Sequence, residues 1–219
     1  MKRIHIIVLV IILVLIIDQA LKFYIKLNFQ MGEGVPILGL NWAYLHFIEN
    51  QGMAFGITLG GEIGKLALSL FRIVAVILLG MYIQRLNKEK AHMGLLVSFA
   101  LIFAGALGNI IDSAFYGLIF SESPYHGGVA HLVPFGQGYA SFLHGSVVDM
   151  FYFPIIDTVW PSWVPFIGGG ELKFFRPVFN VADSAITIGV ALLIIFYNSF
   201  FKEKKGEPLT IEENAPALT

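Results

Sequence analysis

The sequence contains no cysteine, and this absence excludes several kinds of chemistry. Without cysteine the chain can form no disulfide, no thiolate zinc site and no thiol nucleophile, and none of its own side chains is a cysteine that could receive a lipid. Charged residues are also scarce, at 13% against roughly 25% in an ordinary soluble domain. The 14 basic and 15 acidic side chains nearly cancel, which gives no electrostatic reason to expect nucleic acid as a partner.

Apolar residues, by contrast, make up 57% of the 219 residues and gather in long runs. A helix needs about 20 mostly apolar residues to cross the hydrocarbon core of a bilayer. Four stretches meet this requirement: 4–24, 63–83, 93–115 and 177–200. The first is predicted to be a retained helix, because Asp18, Gln19 and Ala20 stand where a signal peptide would need its cleavage site. The sequence therefore predicts a membrane all-α bundle of four transmembrane helices.

Basic residues predict the orientation of this bundle. They occur at alternate ends of the four runs: Lys2, Arg3, Arg85, Lys88, Lys90, Lys202, Lys204 and Lys205. Because positive charge stays on the cytoplasmic side, both termini are expected there and the two long connections, 25–62 and 116–176, on the outer face. Residues 1–201 should form one membrane domain. The tail over 202–219 has too little apolar surface to fold and is predicted to be disordered.

The two outer connections differ in composition. The first contains ILGLNWAYLHFIENQGMAFGI, whose β-branched and aromatic residues, punctuated by glycine, predict short strands and hence a small β-platform. The second carries most of the prolines and the triplet from Gly168 to Gly170, which predicts a long irregular loop with one short interfacial helix. Its length and glycines favour a mobile cover over a site, with the segment from Phe166 to Leu172 the least protected against hydrogen exchange.

Ionisable side chains are rare near hydrocarbon because each costs about 3 kcal/mol or more at the centre of a membrane helix. Five of those in or beside the predicted spans raise a functional question: Asp18, Arg72, Asp112, Asp149 and Asp183. A lone carboxylate near a helix end is as often structural as functional, because it can reach water or headgroups. Asn180, Asp183 and Ser184, however, follow helical spacing and are expected on one face.

The third run repeats this pattern on its own outer half. GALGNIID places Gly105, Gly108, Asn109 and Asp112 on one stripe, where the glycines permit close helix contact and the polar pair faces inward. With Asp149 in GSVVDMF, three carboxylates are expected to converge on the outer side of the membrane.

Two neighbouring aspartates in a desolvated site cannot easily both ionise, so one keeps a proton. Aspartic proteases use this state: one carboxylate takes a proton from water while its protonated partner donates to the peptide carbonyl. The chain lacks the metalloprotease motif H-E-x-x-H and the serine hydrolase motif G-x-S-x-G. His126, His131 and His144 lack the spacing of zinc ligands. A peptidase that needs neither metal nor cofactor is therefore predicted.

Two other readings of the membrane carboxylates compete with this one. In a proton-coupled transporter the aspartates would relay protons, but a relay should cross the midplane and is usually accompanied by broken helices or repeats. In a structural assembly protein they would only hold helices together.

The motifs together resemble one family, the lipoprotein signal peptidases, also called type II signal peptidases. The matching pieces follow one another along nearly the whole chain before the tail: Asp18 with Lys22, NQGMAFG from Asn50, GALGNIID from Gly105, VVDM from Val147 and FNVADSAITIG from Phe179. The resemblance implies a membrane aspartyl endopeptidase in the bacterial cytoplasmic membrane. It would remove the signal peptide from diacylglyceryl-modified prolipoproteins at the lipobox cysteine, acting as a monomer whose partners are this substrate and membrane lipids.

The resemblance also implies roles for individual residues. The catalytic pair corresponds to Asp149 and Asp183, and Asp18 with Lys22 corresponds to a pair near the platform. The residues that correspond to supporting or substrate-binding positions are Asn50, Gly52, Asn109, Asp112 and Asn180.

The chain departs from the family pattern in two respects. Ser113 stands where an arginine usually follows the aspartate of the third motif, and the intervals on either side of VVDM are longer than expected, which makes the second outer loop an insertion. Because an unpaired guanidinium would be costly within a span, Arg72 is a candidate to supply the missing charge to Asp112. The alternative is that Arg72 reaches headgroups or a backbone carbonyl.

Overall fold

Long apolar helices dominate the computed structural model, which describes residues 2–51, 61–154, 156–174 and 177–200, with the backbone alone at 62, 156, 157 and 171–174. Helices α1 (Arg3–Asn28), α2 (Gly61–Lys88) and α3 (Met93–Ile111) correspond to the first three predicted runs. The third continues through a π-helical turn, Asp112–Tyr116, into the short α4 (Gly117–Ile119). All three are long and apolar enough to cross a membrane. The predicted tail over 202–219 lies outside the described residues.

The fourth run is not one continuous helix, so that part of the prediction was wrong. It begins as a strand, β6 (Val178–Phe179), continues as α5 (Val181–Ile195), and ends in α6 (Tyr197–Phe200) after a non-helical residue. The helix begins only at Val181 because Asn180 adopts an extended backbone and caps it. At 1.5 Å per residue, α5 is about 22 Å long, which is shorter than a bilayer core of about 30 Å.

Helices α3 and α5 pack at close range, as the glycines of the third motif predict. A Cβ added at Gly105 would lie 2.2 Å from the carbonyl oxygen of Ala182, and one added at Gly189 would lie 2.6 Å from that of Ser98. No larger residue fits at either position without moving the backbone. This packing brings the beginning of α5 beside the end of α3.

A four-stranded antiparallel sheet forms the predicted platform, with strand order β1-β2-β3-β6. Strands β1 (Gly34–Pro36) and β2 (Tyr44–Asn50) come from the first outer connection, which confirms short strands there, and β3 (Val147–Tyr152) comes from the second. The sheet packs onto the ends of α1 and α4 through a core built from Ile25, Phe47, Tyr116, Phe120, Val148 and Met150. The platform is thereby fixed to the same helix ends that carry the predicted polar residues.

The second outer connection is more regular than predicted. Besides β3 and β6 it contains an antiparallel hairpin of β4 (Ile156–Val159) and β5 (Glu171–Phe174). The expected interfacial helix is not found between residues 121 and 174 in the described part of that connection. Pro161, Pro165 and the glycine triplet, which suggested an irregular loop, instead occupy the turn between β4 and β5, where such residues are favoured. Residues 121–146 do run irregularly, apart from a bridge between Phe120 and Leu132.

Candidate active site

The two aspartates of the predicted catalytic pair lie on different elements and share one neighbour. Asp149 belongs to β3 and Asp183 to the first turn of α5. Asn180 contacts both: its Nδ2 donates to Asp149 Oδ1 at 2.7 Å, and its backbone N–H donates to Asp183 Oδ2 at 3.3 Å. The fold therefore brings together two carboxylates that are far apart in the sequence.

Local structure explains how each carboxylate is held. Asn180 and Asp183 form a capping box, in which the Asn180 Oδ1 accepts a hydrogen bond from the Asp183 N–H at 2.9 Å. Asp149 is directly opposite Ile48 in the ladder between β2 and β3, and β2 ends at Asn50. The Asn50 Nδ2 donates to the second oxygen of Asp149, Oδ2, at 3.1 Å. A helix terminus and a strand end thus meet at the pair.

Asn109, near the end of α3, connects the pair to a buried charge cluster. Its Nδ2 donates to Asp183 Oδ1 at 2.8 Å, and its Oδ1 accepts from Lys22 Nζ at 2.9 Å and from Asn180 Nδ2 at 3.2 Å. Because an amide donates only through nitrogen and a lysine can only donate, Lys22 fixes which end of Asn109 faces Asp183.

The buried charge cluster consists of Lys22, Asp18 and Asp112, whose side chains are all inaccessible to solvent. Lys22 Nζ is 2.9 Å from Asp18 Oδ2 and 2.7 Å from Asp112 Oδ2, so its three donors have three acceptors with Asn109 included. Asp18 Oδ1 in turn accepts from the Ala182 N–H at 2.8 Å. The cluster therefore holds the first turn of α5 as well as Asn109, and the predicted pair of Asp18 and Lys22 does form.

Burial sets the electrostatics of Asp149. Burial, followed by the nearby charge of Asp183, raises the pKa of the Asp149 carboxyl to about 7. Hydrogen bonds from Asn50 and Asn180 and the charge of Lys22 act in the opposite direction and are outweighed. Asp149 is therefore mostly protonated in the acidic range and titrates near neutral pH.

The hypothesis that Arg72 supplies the positive charge to Asp112 was wrong, because Lys22 supplies it. Asp112 binds Lys22 through Oδ2 and accepts from Gln19 Nε2 at 2.9 Å through Oδ1, so α1 supplies its charge partner. Ser113, which occupies the usual arginine position, is buried and bonds back to the Asn109 carbonyl at 3.1 Å.

Two residues of the network were missed from the sequence. Gln19 donates to Asp18 and Asp112, and its Oε1 accepts from the Tyr116 hydroxyl at 3.1 Å. Gln19 stands next to Asp18 on the same helix, which was the available signal. Tyr116 could not be found in this way, because the π-helical turn changes the helical spacing after Asp112. Gly52, predicted as a supporting residue, lies outside the described residues.

A second buried lysine on α1 was also missed. Lys26 is fully buried, pairs with Glu49 of β2, and donates to Ser123 Oγ at 2.8 Å, while Ser123 donates to the same Glu49 at 2.7 Å. Its ammonium lies 4.9 Å from the ring centroid of Tyr139. The spacing of Asp18, Lys22 and Lys26 by four residues was the signal for a polar stripe on α1.

Comparison with known proteins identifies the family of the chain. The model of the signal peptidase II family matches residues 10–199. The lipoprotein signal peptidase of Porphyromonas gingivalis strain W83 is 50% identical over 188 residues, which cover 85% of this chain and 80% of that protein. That of Amoebophilus asiaticus is 39% identical over 186 residues, covering 84% of this chain and 73% of the relative.

Solved structures agree at the level of the fold. A bacterial membrane enzyme solved at 2.3 Å resolution superposes with a TM-score of 0.59 at 24% identity, covering 93% of this chain and 95% of its own. A bacterial membrane enzyme structure at 1.9 Å resolution superposes with a TM-score of 0.55 at 25% identity. The match covers 91% of this chain and 95% of that one. With the family model matching most of its length, the chain belongs to the signal peptidase II family.

Proposed function

We propose that this chain is a membrane aspartyl endopeptidase of the bacterial cytoplasmic membrane, which removes the signal peptide from diacylglyceryl-modified prolipoproteins at the lipobox cysteine. Asp149 and Asp183 form its catalytic dyad. The observation that carries the proposal is that Asn180 contacts both carboxylates, at 2.7 Å and 3.3 Å, in a chain of this family. The sequence resemblance assigns the catalytic pair to the same two residues, which supports the proposal.

The environments of the two carboxylates support different roles. The raised pKa of Asp149, about 7, favours the protonated form and suits a general acid. Asp183 accepts from the Asn109 amide and from a backbone N–H, and these hydrogen bonds hold its carboxylate in the position of a general base. Asp149 is therefore assigned as the general acid, which is mostly protonated below about pH 7.

The reaction then needs only water. The Asp183 carboxylate takes a proton from a water molecule while the oxygen of that water attacks the scissile carbonyl carbon. Asp149 gives its proton to the carbonyl oxygen. When the tetrahedral diol collapses, the C–N bond breaks, Asp183 passes its proton to the leaving nitrogen, and one hydroxyl proton returns to Asp149. The products are a new carboxyl terminus on the signal peptide and a free amine on the lipidated cysteine.

The proposed topology has four membrane crossings within residues 1–201, with α5 and α6 as the last, both termini in the cytoplasm and the dyad towards the outer face. The basic residues at the start of α1 and the end of α2 support this orientation, because both ends would then lie on the cytoplasmic side. The sheet and the dyad are at the opposite ends of these helices. The active unit is proposed to be a monomer.

Replacement of each aspartate tests the proposal. Asp149→Asn and Asp183→Asn should each abolish cleavage of a diacylglyceryl-modified prolipoprotein in reconstituted vesicles, because asparagine keeps the shape but cannot exchange the proton. Glu89→Gln, which changes an exposed acid on a different helix end, is the matched control and should retain full turnover. If either aspartate variant cleaves at near the normal rate, that residue is not part of the dyad.

A proton-coupled transporter is not favoured. The acids Asp18, Asp112, Asp149 and Asp183 gather into one network beside the sheet, whereas a proton relay would have to continue across the midplane. Proton uptake coupled to solute movement in vesicles, without any peptide cleavage, would favour the transporter.

A further inference from the structure

The turn of the β4–β5 hairpin presents large apolar side chains to its surroundings. We call residues 159–170 the hairpin tip. Trp163 is 80% exposed and Phe166 is fully exposed, and Val159 and Ile167 are also exposed. Isolated apolar residues are common on protein surfaces, but several large ones gathered on one turn make that turn a candidate contact surface.

Hydrogen bonds define the backbone of the tip. Trp160 and Gly170 continue the hairpin ladder with a 2.8 Å hydrogen bond, and the Gly168 N–H bonds to the Val164 carbonyl at 2.9 Å. A Cβ at Gly168 would lie 2.7 Å from a neighbouring carbonyl oxygen, so the turn requires glycine there. Phe166 itself has φ 68°, an unfavourable conformation for a bulky residue. The turn thus holds its aromatic side chains outward against local preference.

The hairpin projects from the part of the sheet where the chain enters α5. β4 begins four residues after β3 ends, and β5 is followed by β6, Asn180 and then α5. Aromatic rings connect this point to the rest of the sheet: the ring centroid of the partly buried Phe153 is 5.5 Å from that of Phe179 and 6.3 Å from that of the exposed Trp42. An apolar aromatic surface therefore runs from the base of the hairpin to the beginning of an apolar helix.

Charge is distributed unevenly along the hairpin. Every residue from Thr158 to Gly170 is uncharged, whereas Asp157, Glu171 and Lys173 lie in the strands at its base. A partner bound through charge would need ionic groups at the tip. Tryptophan and phenylalanine without charge instead suit the headgroup layer of a bilayer, where rings lie between water and hydrocarbon.

We infer that the hairpin tip inserts Trp163 and Phe166 into the interfacial layer of the bilayer, on the membrane side that carries the sheet. The occupant of this apolar surface is lipid because the base of the hairpin is continuous with the entry of α5, so the bilayer surface lies within the reach of a short hairpin. Each four-residue strand spans about 13 Å. The tip is then a membrane contact additional to the helices, independent of which peptide bond the protein cleaves.

Tryptophan fluorescence tests the inference directly, because the chain has only three tryptophans. The variant Trp42→Phe with Trp160→Phe keeps Trp163 as the single reporter. It would be reconstituted into phosphatidylcholine vesicles whose acyl chains are brominated at a shallow or a deep position, with iodide as the quencher from water on both sides. Shallow bromines should quench Trp163 at least twofold more than deep ones, and iodide should quench it several-fold less than a free tryptophan analogue.

A second single-tryptophan variant keeps the test valid if the first variant does not fold. In a chain with Trp42, Trp160 and Trp163 all changed to phenylalanine, Phe166→Trp should show the same pattern. Because the tip is uncharged, replacing a third of the phosphatidylcholine by phosphatidylglycerol or raising the salt should leave the quenching unchanged.

The inference is overturned if iodide quenches both reporters fully and brominated lipid does not. It is also overturned if neither quencher acts and cross-linking at residue 163 joins two copies of the chain, because the tip would then be covered by protein. Neither readout requires peptide cleavage, so the outcome is independent of the activity of Asp149 and Asp183.

Discussion

Two lysines one turn apart on α1 are both fully buried, yet they are bound very differently. Lys22 lies between two carboxylates, Asp18 and Asp112, and its third donor binds the Asn109 amide that contacts Asp183. Lys26 pairs with one carboxylate, Glu49, and with Ser123, beneath aromatic rings and the sheet. The first cluster joins helices to the proposed dyad, and the second joins a helix to the platform.

This difference shows that burial of a charge does not by itself indicate function. Both lysines would be judged important from their burial, because an uncompensated buried ion costs several kcal/mol. Only the cluster of Lys22 controls an orientation at the dyad, since the direction of the Asn109 amide follows from it. The Lys26 cluster fixes the sheet to α1 and makes no hydrogen bond to either aspartate in the described part of the chain.

The largest expected effect separates the two clusters by activity. Lys22→Met and Lys26→Met should each lower the free energy of unfolding by about 3 to 5 kcal/mol, because each leaves buried carboxylate without its partner. Lys22→Met should also lower kcat by about 100-fold, because Asn109 loses the contact that orients it towards Asp183. Thermal unfolding in detergent and turnover of a lipidated peptide, with kcat and KM determined separately, measure both effects.

Double variants that remove both the lysine and one carboxylate of a cluster separate an effect on the orientation of Asn109 from an effect on folding. The double variant of Lys22→Met with Asp112→Asn should recover part of the lost stability without recovering kcat, whereas Lys26→Met with Glu49→Gln should recover stability and keep a normal kcat. Equal losses of kcat in the Lys22 and Lys26 variants would show that both lysines act only through folding.

A smaller effect concerns pH. The pKa of Asp149 is raised from its ordinary value near 3.8 to about 7, so the folded state binds this proton more tightly than the unfolded state. Its contribution to stability is present in full below about pH 4 and is lost as pH rises to 7 and above. Between pH 5 and pH 8 the wild-type protein should lose about 2 to 3 kcal/mol relative to Asp149→Asn. Unfolding at both pH values measures this difference.

The Lys26 cluster provides the control for the pH prediction. Lys26→Met should show the wild-type loss between pH 5 and pH 8, because it leaves Asp149 unchanged. The cleavage rate should fall above pH 7 in both proteins as Asp149 loses the proton that a general acid needs. A pH dependence of stability that persists in Asp149→Asn would assign the titration to another group.

The smallest effects come from single hydroxyl groups. Tyr116→Phe removes a hydrogen bond to Gln19 in the first cluster, and Ser123→Ala removes hydrogen bonds to Lys26 and Glu49 in the second. Each should cost about 1 kcal/mol of stability. Tyr116→Phe should also lower kcat by about two- to fivefold, because Gln19 positions Asp112, while Ser123→Ala should leave kcat unchanged. A larger loss of kcat in Ser123→Ala would extend the functional network to the platform.

Much of the site could be predicted because membrane helices make polar residues conspicuous. Asp183, Asn109 and Asp112 follow helical spacing in apolar runs, and the structure joins them in one network. The helices themselves follow from composition, since length and hydropathy decide whether a segment can cross a bilayer. Asp149 belongs to a strand and has no helical pattern around it, so its apolar neighbours made it conspicuous and the family motifs assigned it to the catalytic pair.

Other features could not be predicted because they depend on contacts between distant segments. Asn180 looked like one member of a helical stripe, but its role as the cap of α5 depends on an extended backbone that the strand β6 imposes. Lys26 lies near a helix end, where lysines usually extend to headgroups, and only the fold shows that Glu49 is there to receive it. The hairpin of β4 and β5 could not be predicted because proline and glycine are common both in turns and in irregular loops.

The capping box at the start of α5 also has a consequence for biosynthesis. Asp149 is translated before the last membrane helix, so its proposed partner is absent until α5 is made, inserted and docked. Because Asp183 is part of the cap that begins α5, and Asp18 of α1 accepts from the Ala182 N–H of the same turn, docking of the final helix against the first also brings the second carboxylate of the proposed dyad into place. A chain interrupted before α5 would hold only one carboxylate of the proposed dyad.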